Sequence, residues 1–422
     1  MIDPVPHDPY QALRFRDFRL FLAGGSLAQL GGQMLSLAVG WELYERTNSA
    51  LALGIVGLVQ ILPVLLLSLL TGHVADRYDR KKVVIASQLV LVVAGLGLAA
   101  LSVTQGSLVA IYACLLLRGI GGAFNQPAAN ALPAVIVPEA AFENSASWRT
   151  SVGTLASVVG PALAGLLIAR LGGTTLVYVL NALGNLIFVA MLFDIRGDWS
   201  HGQIRPEERE APTVRSIVEG VSFLRRTPVL LAAITLDLFA VLFGGATTLL
   251  PIFAKDILHV GPSGLGWLQA SSSMGAVAVA LFLAHRPPLQ RAGPTLLVVV
   301  AGFGIATIVF GLSQSFWLSL AMLALLGGLD CVSMIIRDTL QLVRTPHEMR
   351  GRVAAIEGVF VNSSNQLGGF ESGVTAQFFG PVLSVVGGGI GTILVVLIIA
   401  VVSPELRRLS TLRERVPETV LR

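Results

Sequence analysis

Long stretches without a single charge recur along this chain, and they constrain its fold more than any other feature. Residues 51–72 contain no charge, and neither do residues 83–117, where only the turn Thr104-Gln105-Gly106-Ser107 interrupts the apolar pattern. A run of about 20 such residues rises about 30 Å as a helix, enough to cross hydrocarbon. Charged residues make up only 13% of the 422 positions and hydrophobic residues 54%, whereas a soluble domain carries about 25% charged residues. The chain is therefore expected to fold as an all-α membrane protein.

Twelve helices are read at 18–42, 51–73, 83–104, 107–131, 148–169, 174–194, 229–253, 264–284, 295–313, 316–337, 353–377 and 380–402. The breaks carry turn chemistry, as at Thr47-Asn48-Ser49, Gly172-Gly173, Gly261-Pro262-Ser263-Gly264 and Pro287-Pro288. Residues 1–17 hold Asp3, Asp8 and Asp17 and no apolar core, so the first apolar segment is expected to stay as a membrane helix rather than be cleaved. Cys114 and Cys331 fall inside helices of different halves and suit packing, not a disulfide framework.

Charge placement sets the orientation. With the N-terminus inside, only Arg46, Arg170 and Lys255 of the 29 Lys and Arg residues lie outside, and only Arg118 lies mid-helix. Arg149 and Arg337 fall at span ends in this reading and count among the inside anchors. Such a bias follows the positive-inside rule and places both termini in the cytoplasm of a bacterial inner-membrane protein. The net charge of +4 is then a topology signal and not a nucleic-acid footprint.

The longest polar stretch, 196–228, divides the spans six and six. The expected organisation is an N-terminal six-helix bundle (1–195), a cytoplasmic linker (196–228) with a surface helix near 214–225, a C-terminal bundle (229–403) and a short cytoplasmic tail (404–422). An offset of 208 residues aligns Gly119 with Gly327, Leu132 with Leu340 and Pro138 with Pro346. Parallel six-helix repeats are a known transporter plan.

Between the second and third spans lies Gly72-His-Val-Ala-Asp76-Arg77-Tyr-Asp79-Arg80-Lys81-Lys82. Its small residue permits close helix approach, and an acid followed by bases suits a latch favouring one conformational state. The order resembles the signature loop of the major facilitator superfamily through Gly72, Asp76, Arg77, Arg80 and Lys81, with Asp79 in a slot where glycine is usual. In span five, Gly160-Pro161-Ala-Leu-Ala164-Gly165, with Gly153 upstream, is similar to the core of the superfamily's antiporter motif. Glycines and a proline there bend the helix and admit a close neighbour.

Several ionisable residues fall at membrane depth, where charge is costly and marks function or a partner. Arg118 lies about 16 Å along span four. Span one offers Gln29 and Gln33 at that depth, and no acid. The intramembrane acids Asp237, Asp330, Glu357 and Glu371 are the candidates to carry a proton, Asp237 and Asp330 foremost, with Arg118 as a tuning base. Each acid also suits a structural ion pair, Asp330 with Arg337 two turns on. Glu357, Ser364, Gly368 and Glu371 share a face of span eleven, and Asn365 lies beside it; such a stripe suits water or proton access. Gln33, Asn125, Asn181 and Asn365 are the neutral candidates for a substrate cavity, or for gluing helices together.

The chain from about residue 10 to 405 resembles the branch of the major facilitator superfamily that holds siderophore and macrolide exporters. The residues carrying the likeness are Ala12-Leu-Arg-Phe-Arg-Asp-Phe-Arg-Leu-Phe, Asp76-Arg-Tyr-Asp-Arg-Lys-Lys-Val-Val and Gln341-Leu-Val-Arg-Thr-Pro-His-Glu-Met-Arg-Gly-Arg-Val. The resemblance implies two six-helix bundles, a small amphipathic substrate moved outward against protons, no enzymatic activity, no cofactor or metal, and a monomer in the lipid bilayer. Uptake or facilitated permeation of a small solute is the rival transport reading. No P-loop is present, since the lysines follow Arg80, Lys81 and Ala254, and His347-Glu348-Met-Arg-Gly breaks the H-E-x-x-H pattern of zinc proteases.

Overall fold

The computed structural model describes residues 8–196, 214–287, 290–346 and 349–409. Every regular element among the described residues is helical. The long helices are α1 (Arg16–Thr47), α2 (Ala50–Arg77), α3 (Arg80–Thr104), α4 (Leu108–Ala131), α5 (Phe142–Leu171), α6 (Thr175–Asp194), α7 (Pro228–Phe243), α8 (Gly261–Ala284), α9 (Ala292–Leu312), α10 (Phe316–Arg344), α11 (Arg350–Phe379) and α12 (Pro381–Val402). A shorter helix, Val214–Arg226, precedes α7; the rest of the expected linker, 197–213, and the tail from 410 lie outside the described residues.

Ten helices among the described residues are long and apolar enough to cross a membrane. The two long helices that fail this measure, α1 and α11, do so for a physical reason. Both are as long as their neighbours, but α1 carries Gln29, Gln33 and the glycine pairs Gly24-Gly25 and Gly31-Gly32 in its middle, and α11 carries Glu357, Glu371 and the run Asn362-Ser-Ser-Asn-Gln366. Helices that keep polar side chains at membrane depth turn them toward protein or a cavity.

The helix ends follow local chemistry. Asp79 caps α3 by accepting from the backbone N–H of Lys81 at 2.9 Å and Lys82 at 3.4 Å. Proline opens α7, α8 and α12 near their first position, where its missing N–H costs no helical bond. Gly172 closes α5 in the left-handed region at φ 67°. Near Gly244 the seventh span stops being α-helical and continues as a 3₁₀ turn, Gly245–Leu249, and a π turn, Phe253–Ile257. Four helices run four residues or more past the boundaries expected from sequence: α1, α2, α5 and α10.

The chain forms two compact units. The first comprises Met1–Ala38 and Leu62–Ala211, the second Val39–Ile61 and Pro212–Arg422. In the first, α3 packs on α4 and on α6; in the second, α9 packs on α10 and on α12. The third helix of each six thus meets the fourth and the sixth, the same plan twice. The first unit's interior holds Val84, Leu132, Leu192 and the edge-on pair Phe21–Phe188, with centroids 5.8 Å apart. The second unit's interior centres on Leu230, Leu236, Leu296, Leu340 and Val353. Large apolar side chains also point outward, among them Leu66, Val109, Phe193, Trp317 and Phe378. On a soluble protein such surface would invite aggregation; on a chain of spanning helices it faces hydrocarbon.

Candidate functional site

In the first unit, five helices leave a space where polar side chains converge. Helix α1 supplies Gln29 and Gln33, α3 supplies Gln88, α4 supplies Arg118 and Asn125, α5 supplies Arg149, and α6 supplies Asn181 and Asn185. They line a cavity of about 960 Å³, within the size range of small-molecule sites. The approach of α5 to α1 shapes its wall. A Cβ added at Gly160 would stand 2.7 Å from Gln33 Cβ and 3.3 Å from the Leu30 carbonyl oxygen, a distance real side chains do not reach. One turn and more toward the N-terminus, a Cβ at Gly153 would meet Gln29 Nε2 at 2.9 Å. The glycines of the Gly153…Gly160-Pro161…Gly165 segment therefore let α1 turn its glutamines into the cavity. Pro161 and Gly165 are buried in the same helix.

The polar wall is only partly self-satisfied. Gln88 Nε2 donates to Asn125 Oδ1 at 3.2 Å. Asn185 Nδ2 donates to the Asn181 carbonyl oxygen at 2.9 Å. Asn181, on the α6 side of the cavity, is fully buried, and its Nδ2, like Gln88 Oε1, has no partner among the described residues. Arg149 Nη2 donates to Asn130 Oδ1 at 2.7 Å, and its guanidinium lies 5.9 Å from the Phe21 ring centroid. Arg118 reaches Gly32 of α1, where Nη2 would contact an added Cβ at 3.4 Å. No Asp or Glu lines this cavity.

The second unit gathers the acids. Arg337 Nη1 of α10 meets Asp237 Oδ2 of α7 at 2.5 Å, and both side chains are below 9% exposed. Asp330 and Glu357 lie within Coulombic reach of the same guanidinium. Asp237 and Asp330 flank a narrow crevice with Ser333 and Phe303. Glu371 stands apart, beside Thr375 and Ser384 in a separate space of about 280 Å³.

Of the residues singled out from sequence, Gln33, Asn125, Asn181 and Arg118 thus fall together in the first unit, while Asp237, Asp330 and Glu357 fall together in the second. Asn365 joins neither group; it is exposed, and its Nδ2 donates to Val361 O one turn back. The face of α11 with Ser364 and Gly368 is buried against α7: a Cβ at Gly368 would stand 2.8 Å from the carbonyl oxygens of Val241 and Leu242. That part of the polar stripe is a packed seam. The partner of Arg337 is Asp237 and not Asp330, because seven residues of helix separate positions 330 and 337 by about 10 Å of rise, beyond a short carboxylate's reach.

In the loop before α3, Lys81 Nζ donates to the Ile195 carbonyl oxygen at 2.8 Å, just past the end of α6. A cation there complements the helix C-terminus. Arg77 ends α2 and Arg80 starts α3, with Gly72 in the last turns of α2. The side chain of Asp76 lies outside the described residues.

The sequence places two arginines, Arg149 and Arg337, at span ends. Helix α5 begins at Phe142, earlier than the expected 148, which carries Arg149 nearly two turns into the helix, partly exposed and on the cavity wall. Arg337 was missed because α10 continues to Arg344. The acid at Glu143 and the absence of glycine between 142 and 152 are the sequence signals that would have extended α5.

Comparison with known proteins places the chain. A family model described as transmembrane secretion effector matches residues 7–418. The enterobactin exporter EntS of Citrobacter koseri is 28% identical over 385 residues, covering 91% of this chain and 90% of that protein. The multidrug efflux pump Tap of Mycolicibacterium fortuitum is 27% identical over 370 residues, covering 86% and 89%. Among solved structures, the nucleoside transporter NupG aligns with a TM-score of 0.68 at 12% identity, over 92% of this chain and 98% of that one. A bacterial homolog of the lysosomal transporter Spinster aligns with a TM-score of 0.68 at 14% identity, over 95% and 97%.

Proposed function

The chain belongs to the transmembrane secretion effector family of the major facilitator superfamily, and from that premise we propose that it expels amphipathic small molecules, siderophore-like or drug-like, across the bacterial inner membrane. Such a protein moves its substrate by alternating access and uses no chemistry on the substrate itself. The observation that carries the reading is the polar cavity of about 960 Å³ inside a unit built of membrane-spanning helices. A cavity at that depth has one general use, to hold a solute that the surrounding hydrocarbon would exclude. Relatives named as an enterobactin exporter and a multidrug efflux pump, each aligned over most of both chains, support outward transport.

In this reading the proton gradient drives the cycle, and the second unit carries the proton. Asp237 pairs with the buried guanidinium of Arg337, and Asp330 and Glu357 lie near enough to feel its charge. Protonating Asp237 would free Arg337 from its partner, so proton binding and helix packing become one event. Glu371 is the less favoured carrier because it lies outside this group. The loop Gly72-Asp76-Arg77-Arg80-Lys81 is the conformational latch, and Lys81 ties it to α6. The bias of Lys and Arg supports both termini in the cytoplasm, and a monomer is the working unit.

The test uses inverted membrane vesicles with an interior pH dye. After energisation, adding a catecholate siderophore is expected to draw protons out of the vesicles, and Asp237→Asn or Asp330→Asn is expected to abolish that release. If no compound moves protons with folded protein present, proton-coupled export is wrong.

A further inference from the structure

The cavity of the first unit has a charge character that the efflux reading does not supply. Two arginines line it, no carboxylate does, and the remaining polar wall is neutral: amides such as Gln29, Gln33, Gln88 and Asn125, with hydroxyls such as Ser26, Ser36 and Thr150. Among the described residues Arg118 makes no hydrogen bond or ion pair, and Arg149 is held only by a neutral amide and an aromatic face. A guanidinium at membrane depth without a counter-charge is costly. Where a protein keeps one such group, Arg118, facing a cavity that a second, partly exposed guanidinium also lines, the missing negative charge is supplied by what enters.

We propose that the first unit's cavity binds the anionic portion of the substrate, a carboxylate or other planar oxyanion, on Arg118 and Arg149, and rejects organic cations. This rests on the efflux reading for its transport consequence but not for the binding itself. A guanidinium presents a flat fork of N–H donors matched to two coplanar oxygens. Arg149 is already aimed by Asn130 and stacked near Phe21, so little side-chain freedom is lost when an anion arrives. Arg118, lying against Gly32, has donors to spare. The amides of Gln29 and Gln33 supply both donors and acceptors to the neutral part of the solute. A cation would meet two like charges with no carboxylate to offset them, which selects against it as firmly as a clash would.

The test compares two dyes built on the same ring system with the full chain in nanodiscs: fluorescein, an anion at neutral pH, and tetramethylrhodamine methyl ester, a cation. Fluorescence anisotropy is expected to show saturable fluorescein binding that is weakened about tenfold or more by Arg118→Gln or Arg149→Gln, since a hydrogen bond to a charged group is lost. Arg118→Lys is expected to retain part of it, and its retention separates loss of charge from loss of fold. The rhodamine ester is expected neither to bind nor to displace fluorescein. Absence of fluorescein binding, binding unchanged by Arg118→Gln, or competition by the rhodamine ester at similar concentration would each overturn the assignment. Gradient-driven uptake into inverted vesicles keeps the two readings apart. Accumulation of the rhodamine ester and not fluorescein leaves efflux standing and removes the anion site. Arginine-dependent fluorescein binding with no accumulation of either dye leaves the anion site and removes efflux.

Discussion

In the first unit the cations Arg118 and Arg149, both partly exposed, face a cavity with no acid on its wall; in the second, buried Arg337 is clamped by Asp237 with two more acids nearby. The same six-helix plan, with its third helix packed on the fourth and sixth, therefore carries opposite electrostatics. The first arrangement has room and an unmet charge, which suits a solute. The second has a met charge and almost no room, which suits a proton. Two copies of one architecture can take different tasks because the tasks depend on a few side chains at membrane depth and not on the scaffold.

The contrast can be broken most forcefully in the second unit. Arg337→Gln leaves Asp237 and its neighbours buried without their cation, and removal of one partner from a buried pair costs about 3–5 kcal/mol. Thermal unfolding of the purified protein should fall sharply, and the double change Arg337→Gln with Asp237→Asn should recover much of the loss. If single and double variants unfold alike, the pair is not a coupled unit. In the first unit the matching change, Arg118→Gln, is expected to leave thermal unfolding unchanged or raised, because that arginine has no protein counter-charge to lose. A large drop in stability would show that Arg118 is structural.

Smaller effects sharpen the picture around the cavity. Gly160→Ala places a methyl 2.7 Å from Gln33 Cβ, so α5 and α1 must part. Overpacking of this kind costs about 1–3 kcal/mol, and the glutamines move with α1, so dye binding in the first unit should weaken while the unfolding rescue in the second unit is unaffected. The smallest change concerns the cap of α3. Asp79→Ala removes the acceptor for Lys81 and Lys82 N–H, at a cost of about 1 kcal/mol, whereas Asp79→Gly costs only a few tenths. Matched unfolding curves of the two variants check this. A glycine variant as unstable as the alanine variant would mean that Asp79 does more than cap.

Much of the fold was legible in the sequence because charge-free runs of 20 residues allow little else. The spans hardest to bound are two that carry arginines facing the cavity or forming the buried ion pair. Helix α5 reads as starting near 148, since the polar residues before it look like loop; its true start at Phe142 puts Arg149 in the cavity wall. Helix α10 reads as ending at Arg337, and its continuation to Arg344 makes that arginine an interior residue. Positive charge near a span end is ambiguous in sequence, because an anchor at the lipid surface and a buried ion-pair partner differ by two turns of helix. The Asp237–Arg337 pair was illegible for another reason: it joins residues 100 positions apart on two helices, and only packing decides which acid meets the base. Asp79, by contrast, stands out as the departure from the signature loop, and its role emerges once the backbone shows the N–H groups it faces.

The division of labour is tested most directly by substrate exchange without a gradient. Vesicles preloaded with unlabelled substrate and supplied with labelled substrate outside should exchange it through the wild-type protein and through Asp237→Asn or Asp330→Asn, while these two variants fail to accumulate substrate when a proton gradient is imposed. Arg118→Gln should lose exchange and accumulation together. Exchange that survives in Arg118→Gln, or that vanishes with Asp330→Asn in a folded protein, would contradict the assignment of substrate to the first unit and proton to the second.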